Sequence, residues 1–285
     1  MAARLENIVR LIRGKIMQST TRGLQTLNSA LLLAAALGLA QAVTAGAAAA
    51  ATNPTTLSYD IEDTVAPAQQ AAYEAGVKNF NQCLSQHGFK FAVPALEHVT
   101  GNTYVYSYVV MLPNWAGLDT NHAMSTVCDS AFTSDVNPYL LSETAAVTTV
   151  MPGFSHYPND MAPMTALTEV ISFTLKPGMA AYNAFTNGVK AIYTAEAKSN
   201  WPYYSELDEM NYAGPGAPDF QLIIPAKSWA EIGTPESPSV WKMLANVYGQ
   251  RKADAIHKSI GDAIASSESH VDRYDPSLSY TPPQQ

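Results

Sequence analysis

Three sets of residues in this 285-residue chain have the types and spacing to do chemistry. The first is Tyr104, Tyr106 and Tyr108. Side chains on a strand alternate between faces, so these tyrosines share one face while Val105, Ser107, Val109 and Met111 share the other. The apolar face suits packing under helices. A stripe of rings with polar tips suits a half-wet cavity that grips an apolar or aromatic molecule, or a core filled by packing alone. The second set is Glu97 and Glu209. A carboxylate facing a cavity can serve as a base once its pKa is raised, whereas on an edge strand its charge only discourages aggregation. His98 adjoins Glu97 but alternates to the opposite face. The third set is Cys83 and Cys128, the only cysteines.

Other chemistry is excluded by spacing. The histidines are His87, His98, His122, His156, His257 and His270, and none falls in an H-x-x-x-H or H-E-x-x-H pattern, so no metal site is expected. Neither cysteine has a second Cys or a His at zinc-site spacing. Gly153-Phe154-Ser155-His156-Tyr157 lacks the closing glycine of a nucleophile elbow. There is no G-x-G-x-x-G and no P-loop, so no motif indicates a cofactor.

The N-terminal segment sets the compartment. Arg4, Arg10, Arg13, Lys15 and Arg22 precede Leu27–Ala51, which carries no charge, and both Ala40-Gln41-Ala42 and Ala45-Gly46-Ala47 fit the rule for signal-peptide cleavage. Residues 1–47 read as an export signal, with Met17 as an alternative start. An uncleaved membrane anchor is the other reading, because the uncharged stretch is long enough to span a bilayer. Both place the body outside the cytoplasm, in the periplasm or beyond the cell. Without residues 1–47 the chain keeps 11 basic and 23 acidic residues, a balance of -12. So acidic a body repels nucleic acid and anionic lipid, and neither is an expected partner. In an oxidising compartment the two cysteines are expected to pair, closing a loop worth roughly 3–4 kcal/mol in the chain-entropy picture.

The elements that must position these residues occur twice. At an offset of 112, Gly76-Val77-Lys78 matches Gly188-Val189-Lys190, Phe89 and Phe91 match Trp201 and Tyr203, Glu97 matches Glu209, and Pro113 matches Pro225. The first copy reads as strand Leu57–Val65, helix Pro67–Gln86, strand Phe89–His98, strand Thr103–Leu112, helix Asp119–Phe132 and strand Ala145–Met151. The second reads as strand Glu169–Leu175, helix Gly178–Ser199, strand Tyr203–Asn211, strand Asp219–Ile224, a long helix Ser239–Ile264 that Gly249 and Gly261 interrupt, and strand Ser269–Tyr274. The order is βαββαβ twice, an α+β class with residues 48–150 and 166–275 as the repeats, 151–165 as linker and 276–285 as a disordered tail.

One such unit leaves a bare sheet face, and a second unit can cover it. On that order of elements the chain resembles the dimeric α/β-barrel superfamily in a tandem, fused form, with two ferredoxin-like repeats packed sheet to sheet. The resemblance covers roughly residues 57–275. It implies a ligand cavity between the sheets, and either a monomer with pseudo-dimeric repeats or a dimer. Some relatives hold haem through one axial histidine, which would make His122 or His156 the ligand here. Three functions follow as expectations: binding of a small apolar or aromatic molecule, an oxidoreductase or monooxygenase-like enzyme, and a structural or interaction protein with a filled barrel.

Overall fold

The computed structural model describes residues 57–158 and 165–282. The expected export signal and cleavage sites lie outside the described residues. The first half contains β1 (Leu57–Val65), α1 (Gln70–Gln86), β2 (Val93–His98), β3 (Val105–Leu112), α2 (Ala116–Ser125), α3 (Asp129–Asp135) and β4 (Leu140–Val150). The second contains β5 (Leu167–Leu175), α4 (Met179–Ser199), β6 (Glu206–Tyr212), β7 (Phe220–Ala226), α5 (Trp229–Gly233), α6 (Val240–Tyr248), α7 (Gln250–Ala263) and β8 (Ile264–Tyr280).

The eight strands close into one antiparallel barrel in the order β1-β3-β2-β8-β5-β7-β6-β4, with β4 returning to β1. The two halves do not face each other as separate sheets. They join edge to edge through β2 with β8 and β4 with β6, which leaves no unpaired barrel edge. The helices cover the outside. Tyr73 and Val77 of α1 pack on Val65, Ala95, Tyr106, Tyr108 and Leu278, while Phe185 of α4 and Ile260 of α7 pack on Ile171, Phe173, Leu207 and Phe220. The aromatic and aliphatic side chains of these two clusters therefore point outward beneath helices, and the inward positions mix apolar side chains with polar and charged ones.

The expected strands and helices occur in the expected order, with the short helix α5 added between β7 and α6 and three further differences. The helix expected over Asp119–Phe132 is divided by a short 3-10 turn at Thr126–Cys128. The long helix expected over Ser239–Ile264 is two helices meeting at Gly249, whose φ of 84° is open to glycine but strained for other residues. The last strand is 17 residues long and continues to Tyr280, so residues 276–280 belong to the barrel and not to a disordered tail. Tyr280 is buried, and its hydroxyl donates to the Phe89 carbonyl oxygen at 2.8 Å.

Cys83 and Cys128 form a disulfide that ties α1 to the turn before α3 across 45 residues, with the Cα atoms 5.9 Å apart. Replacing both by serine is expected to lower the unfolding free energy by the roughly 3–4 kcal/mol of the closed loop. Urea unfolding of the double variant checks this. An unchanged midpoint would mean that the reduced chain is already held by its other contacts.

Candidate functional site

The site is built by the period of two along the strands. On β1, Ser58, Asp60 and Glu62 face inward; on β6, Glu206 and Asp208; on β8, His270, Asp272 and Tyr274. They surround a cavity of about 710 Å³, so the barrel is not packed solid. A second chamber of about 420 Å³ lies toward the other end of the lumen, and Glu62, Gln221 and His270 line both. Apolar side chains including Leu96, Val109, Met111, Val170 and Ile223 form much of the larger chamber's wall, with Tyr157, Tyr204, Tyr274 and Tyr280 among them.

The charge in this lumen is one-sided. Asp60, Glu62, Glu206, Asp208, Glu268 and Asp272 line the two chambers, and among the described lining residues there is no lysine or arginine. Asp60 accepts a hydrogen bond from the Thr148 hydroxyl at 3.0 Å, and Thr148 is itself paired with the Ser58 hydroxyl. Burial pushes Asp60 up to about 6; the hydroxyls of Ser58 and Thr148 resist, and the charges of Glu62 and Glu206 reinforce the rise. Burial, then Glu206 and Asp60, hold Asp208 well above the usual carboxylate range. Glu206 accepts from the hydroxyls of Tyr157 and Tyr204, both at 2.9 Å.

Where the two chambers meet, His98 and His270 stack with ring centroids 4.0 Å apart. Their Nε2 atoms lie 3.6 and 3.3 Å from Asp272 Oδ1. Burial lowers His98 to about 4, with Asp272 opposing and His270 assisting. Burial acts the same way on His270, but Asp272 and Glu62 outweigh it and its pKa is raised. Asp60 Oδ1 and Asp208 Oδ1 are buried in the lumen with no hydrogen-bond partner, and His270 Nε2 and Asp272 Oδ1 are buried with no partner beyond the ion pairs around Asp272. Such atoms are rare in folded proteins, and their concentration in one cavity marks a place prepared for something else.

The residues singled out from the sequence lie elsewhere. Tyr106 and Tyr108 are buried on the outer face beneath α1, where the Tyr73 hydroxyl bonds Asp63 at 2.6 Å and Tyr108 at 2.9 Å, and the Tyr106 hydroxyl bonds Glu74 at 2.9 Å. Tyr104 precedes β3 and is 38% exposed. None of the three lines either chamber, and the rings of Tyr106 and Tyr108 supply the bulk that α1 packs against. The assignment of strand faces is therefore reversed: Ser107, Val109 and Met111 point inward. Glu97 pairs in register with Tyr106, and Glu209 with Phe220, so both share the helix-covered face. Glu209 accepts from the Tyr182 hydroxyl of α4 at 2.8 Å. Neither glutamate reaches the cavity, and neither is placed to act as a base there. His98, set aside as the neighbour on the other face, is the one that points inward.

The histidines considered for haem do not fit one. His122 is exposed on α2, and His156 is held by the Trp201 carbonyl oxygen at 2.7 Å; neither lines either chamber. The residues that build the lumen did leave a signal in the sequence. Ser58-x-Asp60-x-Glu62, Glu206-x-Asp208 and His270-x-Asp272 each place polar groups two apart on a strand, so each set falls on one face.

No family model matches the sequence, and no curated protein matches it. Solved structures do. A putative monooxygenase from Lactobacillus acidophilus is 11% identical, with 80% of this chain and 96% of that one covered and a TM-score of 0.47. An anthrone oxidase-like protein is 10% identical over 79% and 92%, with a TM-score of 0.48. A mutant chlorite dismutase from Candidatus Nitrospira defluvii is 9% identical over 78% and 92%, also at 0.48.

Proposed function

We propose that the protein binds, inside its barrel, a small molecule with an apolar body and a basic group. The observation that carries this reading is the pair of buried, unpartnered oxygens on Asp60 and Asp208 in a chamber whose described lining has no lysine or arginine. An ammonium or amidinium group would satisfy both oxygens, and the apolar wall and tyrosines would take the rest of the molecule. The volume of about 710 Å³ suits a ligand of ordinary drug size. The reading narrows the expectation of an apolar or aromatic ligand by adding the charge.

Calorimetric titration with an aryl-alkyl amine, the matching alcohol and the matching carboxylic acid tests it. The amine binds, and the acid does not. A cation depresses the raised carboxyl pKa values, so binding releases protons, and the apparent enthalpy depends on the buffer. Asp208→Asn weakens amine binding roughly 10–100-fold, the value of one charged hydrogen bond. Equal affinity for the alcohol, or no proton release, would remove the basic group from the proposal.

Asp60, pushed up to about 6, and Asp208, held well above the usual carboxylate range, also support a second reading, an enzyme using the two carboxyls for proton transfer. Deuterium exchange at a carbon of the bound amine, lost in Asp60→Asn, would favour it. Its absence in the unsubstituted protein would leave binding alone.

The shared strand order of the halves, β4-β1-β3-β2 and β8-β5-β7-β6, supports a tandem of two ferredoxin-like units. Export completes the proposal. It is supported by the signal-like composition of residues 1–47 and by the disulfide, which persists in oxidising compartments. Mass spectrometry of protein recovered from the periplasm or medium tests both the location and the cleavage site.

A further inference from the structure

We propose that His98, His270 and Asp272 form a binding site for one divalent transition-metal ion of the zinc and iron(II) class. No metal motif announces the site, because its ligands come from two strands in opposite halves of the barrel. His98 ends β2, and its register partner across the seam is Asp272 of β8. His270 lies two residues earlier on β8, so all three side chains project from the same patch of the inner wall.

The distances fit a shared ion. Metal–ligand bonds of about 2.0–2.2 Å separate neighbouring ligand atoms by about 3.0–3.6 Å. Asp272 Oδ1 lies 3.6 Å from His98 Nε2 and 3.3 Å from His270 Nε2, and the three ligand atoms all fall within 4.8 Å of one another. Two of them, His270 Nε2 and Asp272 Oδ1, are buried and meet each other only as a 3.3 Å ion pair without good hydrogen-bond geometry, and Asp272 is only 2% exposed. An ion between them would accept both lone pairs at once. Two imidazoles and one carboxylate are the donor set of non-haem iron(II) and of many zinc sites that keep positions open.

The frame around the cluster is rigid, as a metal site requires. The Val99 amide donates to the Val271 carbonyl oxygen at 2.8 Å, and the Val271 amide donates to the Thr100 hydroxyl at 2.8 Å. Two adjustments accompany binding. The rings, now 21° from parallel, turn about χ2 until their nitrogens converge, which the broad χ2 well of histidine allows. His98 Nε2 gives up its 3.2 Å contact with the Ser107 hydroxyl. Glu62 adds negative charge beside His270. The open coordination positions look into the lumen, where both chambers border His270.

The test uses the full chain with its disulfide intact and stripped of metal by a chelator, titrated with zinc(II) and with cobalt(II). One equivalent binds, and cobalt gives the visible absorption of a nitrogen- and oxygen-ligated ion. Loss of an outer-sphere partner alone costs 10–100-fold in affinity, so losing a direct ligand in Asp272→Asn or His270→Gln lowers it by about 100-fold or more. His122→Gln, on exposed α2, binds as before. Binding at several weak equivalents, or equal binding by all variants, would overturn the site. Should the ligand variants fail to fold, proton NMR of the cobalt form decides instead, with strongly shifted ring N–H signals from two imidazoles expected; shifted signals from none, or from His87, would overturn it. Amine binding is measured on metal-free protein, so either proposal can fail while the other stands.

Discussion

Stability is expected to fall by several kcal/mol as the pH rises from about 4 to about 8. The cause is a set of carboxyl groups that the fold holds protonated. Burial raises Asp60 to about 6 and Asp63 to about 7 from 3.8, and Glu196 to about 7 from 4.5; Asp208 is also held well above the usual carboxylate range. For each, the folded state binds the proton more tightly than the unfolded state does. Stability is therefore full below the unfolded pKa and is lost as the pH climbs through the folded one. At about 1.4 kcal/mol per pK unit, each of the first three contributes about 3–4 kcal/mol across its window. The rise of His270 acts in the same direction. His98, lowered to about 4, acts in the opposite one, and its gain of about 3 kcal/mol is complete near pH 6.5. The carboxyls outnumber it, so the net slope is downward. Urea unfolding of metal-free protein at about pH 5 and about pH 8 measures the difference. Asp60→Asn and Asp63→Asn should each flatten the profile. A profile that is level or rises over this range would show that these groups are hydrated in the native state.

Alanine at Gly76 is expected to cost about 4–5 kcal/mol, the exceptional end for a single substitution. A Cβ there would stand 1.7 Å from the Asp135 carbonyl oxygen and 2.5 Å from its carbon, so two backbones must separate. The helix propensity gained by replacing glycine is only about 1 kcal/mol and does not offset this. Gly188 faces a softer obstacle, Ile260 Cγ1 at 2.4 Å, which is a side chain that can turn. Gly188→Ala should cost less, about 2–3 kcal/mol, as overpacking typically does. Thermal unfolding of the two variants side by side gives the order directly. Equal or reversed losses would mean that α1 yields more easily than Ile260.

Gly76 and Gly188 fall at the same place in the two matched segments, and at each a helix approaches a neighbour closely enough to exclude a Cβ, α1 against the end of α3 and α4 against α7.

The order and type of the elements follow from the sequence itself, because periodicity and turn residues act locally. β1 occupies the expected Leu57–Val65, α1 ends at Gln86, β5 ends at Leu175 and α4 at Ser199, and the cysteine pairing holds. Alternation also divides each strand correctly into two faces. It does not say which face is inside. That depends on where the helices settle, and the helices need the bulky rings of Tyr106 and Tyr108 beneath them, so the lumen receives Ser107 and Val109 instead. The placement of Glu97 and Glu209 changed for the same reason. Closure of the barrel decided the rest. Pairing β2 with β8 brings His98 beside His270 and Asp272, and lining one cavity with β1 and β6 brings Asp60 into the field of Glu206 and Asp208. Residues well over a hundred positions apart become neighbours only when the edges meet, and no local pattern in the chain records which edges those are.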